Sequence, residues 1–126
     1  MSHMTPVTWS PNNLDTLLDI ARELGFEILH GTRARFYNGQ SKECDVCLRL
    51  SGSDFDIAVS EFAGRYRLEH DAYSEHGRKL TKAVRSMHTE YVIRTQTAVA
   101  AKNGYRVTRQ KNARGQTQLV ATRRAV

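Results

Sequence analysis

The chain has 126 residues, 40% of them hydrophobic and 25% charged, which is the composition of an ordinary globular protein with one core. No run of 18 apolar residues and no apolar signal-peptide core is present, so we expect neither a membrane-spanning helix nor a secretory leader. The expectation is a cytoplasmic protein with a single domain, residues 1–126. The only cysteines, Cys44 and Cys47, are consistent with a reducing compartment.

Charge is distributed unevenly along the chain. Residues 1–77 hold 7 basic and 12 acidic residues, a net charge of −5, whereas residues 78–126 hold 12 basic residues and one acid, Glu90, a net charge of +11. This asymmetry predicts an anionic partner for the C-terminal part. The alternative is that the two parts neutralise each other within the fold.

The N-terminal third predicts a strand and a helix. Residues 5–9 alternate weakly as a short strand, and residues 10–13 break it, with Pro11 placed as the first helical residue. A helix is expected over about 12–24, ending at Gly25. Its apolar stripe consists of Leu14, Leu17, Leu18, Ala21 and Leu24.

Short strands dominate the next segment. Residues 26–30 and 34–37 are predicted strands, and Asn38-Gly39 is the strongest turn signal in the chain. Residues 43–60 predict an antiparallel hairpin whose apolar face lies toward a helix layer. Residues 61–76 show no period and predict a long ordered loop, with a short strand over 65–69 as an alternative.

A long helix is predicted between Gly77 and Gly104. Ile93 falls near its polar side and Arg94 near its apolar side, which predicts a bend, a change of packing partner or a buried acid beside Arg94. Its apolar stripe includes Leu80, Val84, Met87 and Tyr91.

Two strands, 105–110 and 117–123, follow the long helix and are joined by a turn at 112–115. The predicted element order is β-α-β-β-β-β-α-β-β. Hairpin-length connections between strands favour an α+β fold, a mostly antiparallel sheet with the long second helix packed on one face.

No catalytic or metal-binding motif stands out. Cys44 and Cys47 lack a second pair, and thiols three residues apart on a strand are expected to point to opposite faces. The acids Asp54, Asp56 and Glu61 are interpreted as a solvated face. His70 and His76, with Asp71 and Glu75, form a candidate metal-ligand set, but their spacing imposes no geometry. A non-enzymatic protein without cofactor or bound metal is therefore predicted.

Basic residues are the strongest functional signal. Any nucleic acid would be bound mainly through its phosphates, because no groove-reading motif is present. The candidate anion-binding residues are Arg78, Lys82, Arg85, Arg94, Arg106, Arg109, Lys111, Arg114, Arg123 and Arg124. The candidates for stacking on bases are Tyr37, Tyr66, Tyr73 and Tyr105.

Several segments together resemble a known family, the domain-of-unknown-function family numbered 1257. They are Met1-Ser-His3, Glu23-Leu-Gly-Phe-Glu27, Thr89-Glu-Tyr-Val-Ile-Arg-Thr95, Gly104-Tyr-Arg-Val107 and Leu119-Val-Ala-Thr-Arg-Arg124. Members of that family occur in bacteria, cyanobacteria, plastids and phages, mostly as stand-alone domains. The resemblance implies that Met1-Ser-His3 belongs to the natural protein and is not a cloning remnant. It also supports the predicted α+β fold. Ile93 and Arg94 stand where the family has Tyr and His, so a binding face there would be altered.

Three functions are predicted from these observations. The first is a small accessory protein that binds an anionic partner, a nucleic acid or a nucleotide, the latter as in phage-type sequestration. The second is a protein–protein module or homo-oligomer, with an acidic protein as partner or Ile93 in a subunit contact. The third is a metal-dependent enzyme that uses His70 and His76.

Overall fold

The structure, a computed structural model, describes residues 4–6 and 9–123. It contains two helices, α1 (Leu14–Glu23) and α2 (Ser74–Lys102), so the α+β class is confirmed. The described residues form nine strands: β1 (Met4–Pro6), β2 (Phe26–His30), β3 (Ala34–Arg35), β4 (Ser41–Lys42), β5 (Val46–Leu50), β6 (Asp56–Phe62), β7 (Arg65–Asp71), β8 (Tyr105–Lys111) and β9 (Thr117–Arg123). Six strands, rather than the four predicted, lie between the helices.

The described chain divides into two compact units, Met1–Thr89 and Glu90–Val126. The first unit holds a five-stranded antiparallel sheet in the order β1-β7-β6-β5-β2 and the small β3–β4 hairpin. The second holds the β8–β9 hairpin and the second half of α2. No helix among the described residues is long and apolar enough to cross a bilayer.

One face of the five-stranded sheet is apolar and buried. Leu48 pairs with Ile57, and Val46 pairs with Val59, which pairs in turn with Leu68. These side chains are at most 3% exposed, like Leu80 and Met87 in the first half of α2. The predicted packing of the long helix on one sheet face is thereby confirmed. Apolar side chains recur every second residue on one face of the strands and about every 3.6 residues on one side of the helix, and these two apolar surfaces pack together.

The opposite face is also covered, which the sequence did not predict. Residues 34–42, which hold β3 and β4, form a segment that we call the β3 arm. Cys47 and Ala58, cross-strand partners on this face, form a buried cluster with Ala34 and Phe36 of the β3 arm. A three-residue loop, Tyr37–Gly39, closes this arm: Asn38 and Gly39 adopt positive φ values (62° and 73°), and the Phe36 backbone N–H donates to the Gln40 carbonyl oxygen at 2.7 Å. The expected turn is therefore confirmed.

Residues 61–76 do not form the predicted loop. β7 pairs with β6 from Phe62↔Arg65 to Ala58↔Glu69, so the alternative strand is correct and longer than expected. The sequence of β7 shows no alternation of apolar and polar residues because both faces of its C-terminal end are buried. His70 lies on the apolar face and Asp71 on the other. Alternation of apolar and polar residues marks a strand only where one face meets water.

Helix boundaries also differ from the prediction. The side chain of Asn13 accepts a hydrogen bond from the Thr16 backbone N–H (3.1 Å) and caps α1, so Pro11 precedes the helix and is not its first residue. Gly25, with φ 93°, ends α1 as predicted. α2 begins at Ser74, three residues before Gly77, which lies inside its first turn.

Trp9 anchors the chain entering α1 to the first half of α2. Its ring stacks on His88 with centroids 4.9 Å apart and planes 13° apart. This stacking gives His88, whose side chain is exposed, a structural role. His3 lies outside the described residues.

The β6–β7 turn contains a strained alanine. Ala63 has φ 53° and is followed by Gly64 with φ 79°, so two consecutive residues have positive φ values, as at Asn38-Gly39. A left-handed conformation costs a non-glycine residue about 1–2 kcal/mol, and asparagine tolerates it better. Replacing Ala63 by asparagine should therefore raise the free energy of unfolding by about 0.5–1 kcal/mol, measured by urea titration. The reciprocal change Asn38→Ala should lower it; stabilisation by both would contradict this account.

Candidate anion-binding site

The predicted basic residues belong to both units. Arg78, Lys82 and Arg85 lie in the first half of α2 and are exposed. Arg94 lies in the second half of α2, and Arg106, Arg109, Lys111, Arg114 and Arg123 lie on the β8–β9 hairpin, all in the second unit. Arg124 lies outside the described residues.

Glu90 holds two of the predicted anion-binding residues. Arg109 donates to both carboxylate oxygens, Nη1 to Oε2 at 3.0 Å and Nη2 to Oε1 at 2.7 Å, and Arg94 donates from Nε to Oε1 at 3.1 Å. The carboxylate is 25% exposed. The hydrogen bonds from Arg109 and then Arg94 hold the pKa of Glu90 below its ordinary value despite partial burial. Arg94 therefore meets a partly buried acid one turn away, whereas a buried acid was one of the three predicted outcomes.

This ion pair orients the β8–β9 hairpin. Arg109 shares a face with Val107 and Leu119, which are half-buried, because alternate residues of a strand point to the same side. Through Arg109, that face is turned toward the Glu90 side of α2 within the same unit. Tyr105, Lys111 and Arg123 lie on the same face toward its two ends.

The other face of the hairpin is open to solvent. The cross-strand pairs on it are Arg106↔Thr122, Thr108↔Val120 and Gln110↔Gln118. All six side chains are exposed, and none is acidic. We call this set the outer ribbon face.

The division into units redistributes the charge. The first unit, residues 1–89, carries 11 basic and 12 acidic residues, a net charge of −1, and the second carries eight basic residues and one acid, a net charge of +7. Acids of the first unit pair inside it: Lys42 with Glu69, and Arg33 with Glu43 at 3.3 Å. Thus Glu90 is the single carboxylate side chain of the second unit, and it already holds Arg94 and Arg109.

Five basic side chains of the second unit make no ion pair within the part of the chain that the structure describes. They are exposed and lie at the end of α2 or along the hairpin: Lys102, Arg106, Lys111, Arg114 and Arg123. Lys102 was not among the predicted site residues. Its exposure at the C-terminal end of α2 adds it to the candidate set.

The tyrosines predicted to stack on bases lie apart in the fold. Tyr105 is half-exposed beside Arg123 on the hairpin. Tyr37 and Tyr73 contact each other, with ring centroids 4.1 Å apart, in the first unit. Tyr66 lies on β7, where its backbone N–H donates to the Pro11 carbonyl at 2.8 Å. Only Tyr105 is therefore on the same element as the basic hairpin residues.

The histidine set does not assemble into a metal site. His70 and Asp71 point to opposite faces of β7, and burial lowers the pKa of His70, which favours the neutral imidazole. Asp71 accepts the backbone N–H groups of Tyr37 and Tyr73 at 3.0 and 2.9 Å, and His76 faces Asp54 at 3.5 Å. Among residues 9–123 no three His, Cys, Asp or Glu side chains are grouped so as to hold a metal ion.

The prediction that the two thiols diverge is wrong. Cys47 is buried in the cluster beneath the β3 arm, and Cys44, just before β5, packs against the same cluster and contacts the Thr32 carbonyl oxygen at 3.4 Å. The strand begins only at Val46, so the alternation rule does not relate the two residues. Burial raises the pKa of Cys47 to about 12, which leaves it an unreactive thiol.

The prediction that Asp56 belongs to a solvated acidic face is also wrong. Asp56 is fully buried and accepts five hydrogen bonds, three from Arg35 and two from Arg49, all between 2.9 and 3.1 Å. The β3 arm covers the sheet face that carries Cys47, Arg49, Asp56 and Ala58. The small apolar side chains of Cys47 and Ala58 were the one feature of the sequence that indicated this cover. The network ties the β3 arm to the sheet and is structural.

Comparison with protein families finds one match. A family model described as "Protein of unknown function (DUF1257)" matches residues 21–120, from the middle of α1 into β9. The first residues, including Met1-Ser-His3, and the last six lie outside the match. Neither the curated proteins nor the solved structures contain a match. Because the family model covers most of the 126 residues, the chain belongs to this family of proteins of unknown function, as its motifs predicted.

Proposed function

We propose that this chain is a small, non-enzymatic accessory protein that binds nucleic acid through the basic residues of its second unit. The observation that carries the proposal is a net charge of +7 on residues 90–126, with Glu90 already engaged by two arginines. Five exposed cations without an ion-pair partner among the described residues remain. Cations of this kind bind phosphates and release counterions from a nucleic acid.

The spacing of these cations favours a polymer over a single nucleotide. Arg106 and Arg123 lie near the start of the hairpin, whereas Lys111 and Arg114 lie near its turn. Seven residues of antiparallel strand span about 24 Å at roughly 3.4 Å per residue. Successive phosphates of one strand lie a few ångströms apart, so a chain of phosphates fits this length and a mononucleotide does not.

The test is a salt-dependent binding titration of the Lys111→Ala/Arg114→Ala double variant. With labelled 30-residue DNA and RNA probes, the wild type should bind at about 50 mM salt and lose affinity steeply toward 200 mM. Removal of two phosphate contacts should reduce the slope of log K against log salt by about 2.

The matched control is Arg22→Ala/Arg33→Ala, which removes two exposed charges from the first unit. It should leave the slope unchanged. Absence of binding to any DNA, RNA or nucleotide at about 50 mM salt would overturn the proposal, and so would an equal loss in the control.

A second candidate, self-association, is favoured by two exposed valines on the second half of α2. Val92 and Val99 are 36% and 54% exposed and lie seven residues apart, on one side of the helix. Ile93, the residue first considered for such a contact, is buried. Light scattering of wild type and Val99→Ser distinguishes the cases: a monomer at every concentration removes this candidate.

A further inference from the structure

The outer ribbon face has side chains suited to reading base edges. It presents an arginine, two glutamines, two threonines and one valine in three cross-strand pairs. Arginine pairs with guanine O6 and N7, glutamine with adenine N6 and N7, and an apolar group contacts the thymine methyl. A surface that only neutralised phosphates would need cations here, yet Arg106 is the single charged residue of the six.

Hydrogen bonds restrain the hairpin both at its turn and on its inner face, the face that carries Val107, Arg109 and Leu119. On the inner face, the two hydrogen bonds from Arg109 to Glu90 anchor the middle of β8. At the turn, the Asn112 side chain accepts from the backbone N–H groups of Arg114 and Gln116, both at 2.9 Å. Its amide nitrogen also donates to the Gln116 side chain at 3.0 Å. A ribbon restrained in this way loses little conformational entropy on binding.

The dimensions of the ribbon select one form of nucleic acid. A two-stranded antiparallel ribbon fits the major groove of B-form DNA, which is about 12 Å wide and 8.5 Å deep. The major groove of A-form RNA is deep and too narrow for protein side chains to read. Single strands are bound mainly by stacking on aromatic rings, and the outer ribbon face has none.

We infer that the β8–β9 hairpin binds double-stranded DNA by inserting its outer ribbon face into the major groove. Gln110, Gln118 and Arg106 contact base edges, and Val120 lies against a thymine methyl group. The cations outside this face, Lys111, Arg114 and Arg123, bind the phosphates that flank the groove. This inference rests on the proposed function and narrows its partner to B-form DNA.

The experiment compares four probes of equal length: duplex DNA, duplex RNA, single-stranded DNA and single-stranded RNA. Duplex DNA should bind at least about tenfold tighter than duplex RNA at the same salt. Rounds of selection from a randomised duplex should then enrich a short sequence. Gln110→Ala/Gln118→Ala should reduce the preference for that sequence over a scrambled duplex by about tenfold or more, with an unchanged salt slope.

Two controls separate sequence reading from phosphate binding. Lys111→Ala should weaken selected and scrambled duplexes equally and lower the salt slope by about 1. Gln96→Ala, an exposed glutamine on α2, should change neither. Because Gln110 and Gln118 are exposed, their variants should retain the wild-type melting temperature, which excludes misfolding as the cause.

The outcomes distinguish this inference from the broader proposal. Salt-dependent binding with no enriched sequence, or with equal affinity for duplex RNA, overturns the major-groove inference and leaves the proposed function standing. Tighter binding to either single strand has the same consequence. Absence of binding to all four probes overturns both.

Discussion

Replacing Gly77 by alanine should lower the free energy of unfolding by at least about 3 kcal/mol, although alanine is the better helix former by about 1 kcal/mol. A Cβ at this position would lie 2.6 Å from the carbonyl oxygen and 2.7 Å from the Cα of Ala72. Both atoms belong to the backbone and cannot move aside as a side chain would. We expect urea titration to show a lower midpoint, with the first turn of α2 displaced or the chain leaving β7 distorted.

Ser86→Ala is the matched control for Gly77→Ala. Ser86 is exposed on the same helix, so the substitution should gain about 0.5 kcal/mol from helix propensity alone. If Gly77→Ala were also neutral or stabilising, the close approach between the first turn of α2 and Ala72 would not exist in solution.

Replacing Asp56 by asparagine should cost about 2–3 kcal/mol, the second large effect. Breaking a buried ion pair from one side typically costs about 3–5 kcal/mol, because the remaining charge loses its partner. The arginines here are partly exposed, with 42% of the Arg35 side chain and 30% of the Arg49 side chain accessible. Water can therefore solvate the guanidinium groups and offset part of the lost free energy. The asparagine amide would also face a guanidinium donor. Thermal and urea unfolding measure the change.

The Asp56 network also makes stability depend on pH in a defined direction. Burial raises the pKa of Asp56, but hydrogen bonds from Arg35 and Arg49 outweigh it and leave the pKa below its ordinary value. A carboxylate whose pKa is lower when folded contributes stability above its unfolded pKa, about 3.9, and loses that contribution as pH falls through the folded value. The difference between wild type and Asp56→Asn should therefore shrink from pH 7 to pH 3.

Asp54→Asn is the control for both Asp56 experiments. Asp54 is two residues away and 79% exposed, so its substitution should change stability by less than about 0.5 kcal/mol. An effect as large as that of Asp56→Asn, or a stability gap that widens in acid, would contradict the role assigned to the buried carboxylate.

Local pattern was sufficient to predict the hairpins and their turns. The β5–β6 hairpin, the Asn38-Gly39 turn and the β8–β9 hairpin were predicted from alternation and turn chemistry, and the structure confirms each. The family was likewise predicted from short motifs and confirmed by the match over residues 21–120. The basic residues of the candidate site were identified from their clustering after residue 78.

The predictions failed where charged residues are buried or where backbone segments meet. The sequence predicts a loop in place of β7 because polar His70 and Asp71 are buried on opposite faces of the strand. It predicts a solvated Asp56 because nothing local indicates the two arginine partners, 21 and 7 residues away. The sequence places Gly77 just before the long helix, whereas it lies inside the first turn of α2, where it accommodates the backbone of Ala72. These contacts depend on how strands and helices pack, so the local pattern of apolar and polar residues does not reveal them.

The sequence by itself determined the α+β class, the hairpins, the family and the sign of the charge in the C-terminal part. These follow from the order of residues along the chain, because side-chain period, turn propensity and net charge are local or additive properties. Tertiary structure alone decided that Glu90 takes up Arg109, 19 residues further along the chain, and that Arg106 and Gln118 share one exposed face. Strand register and side-chain direction set those relationships, and they bring together residues that are far apart in sequence.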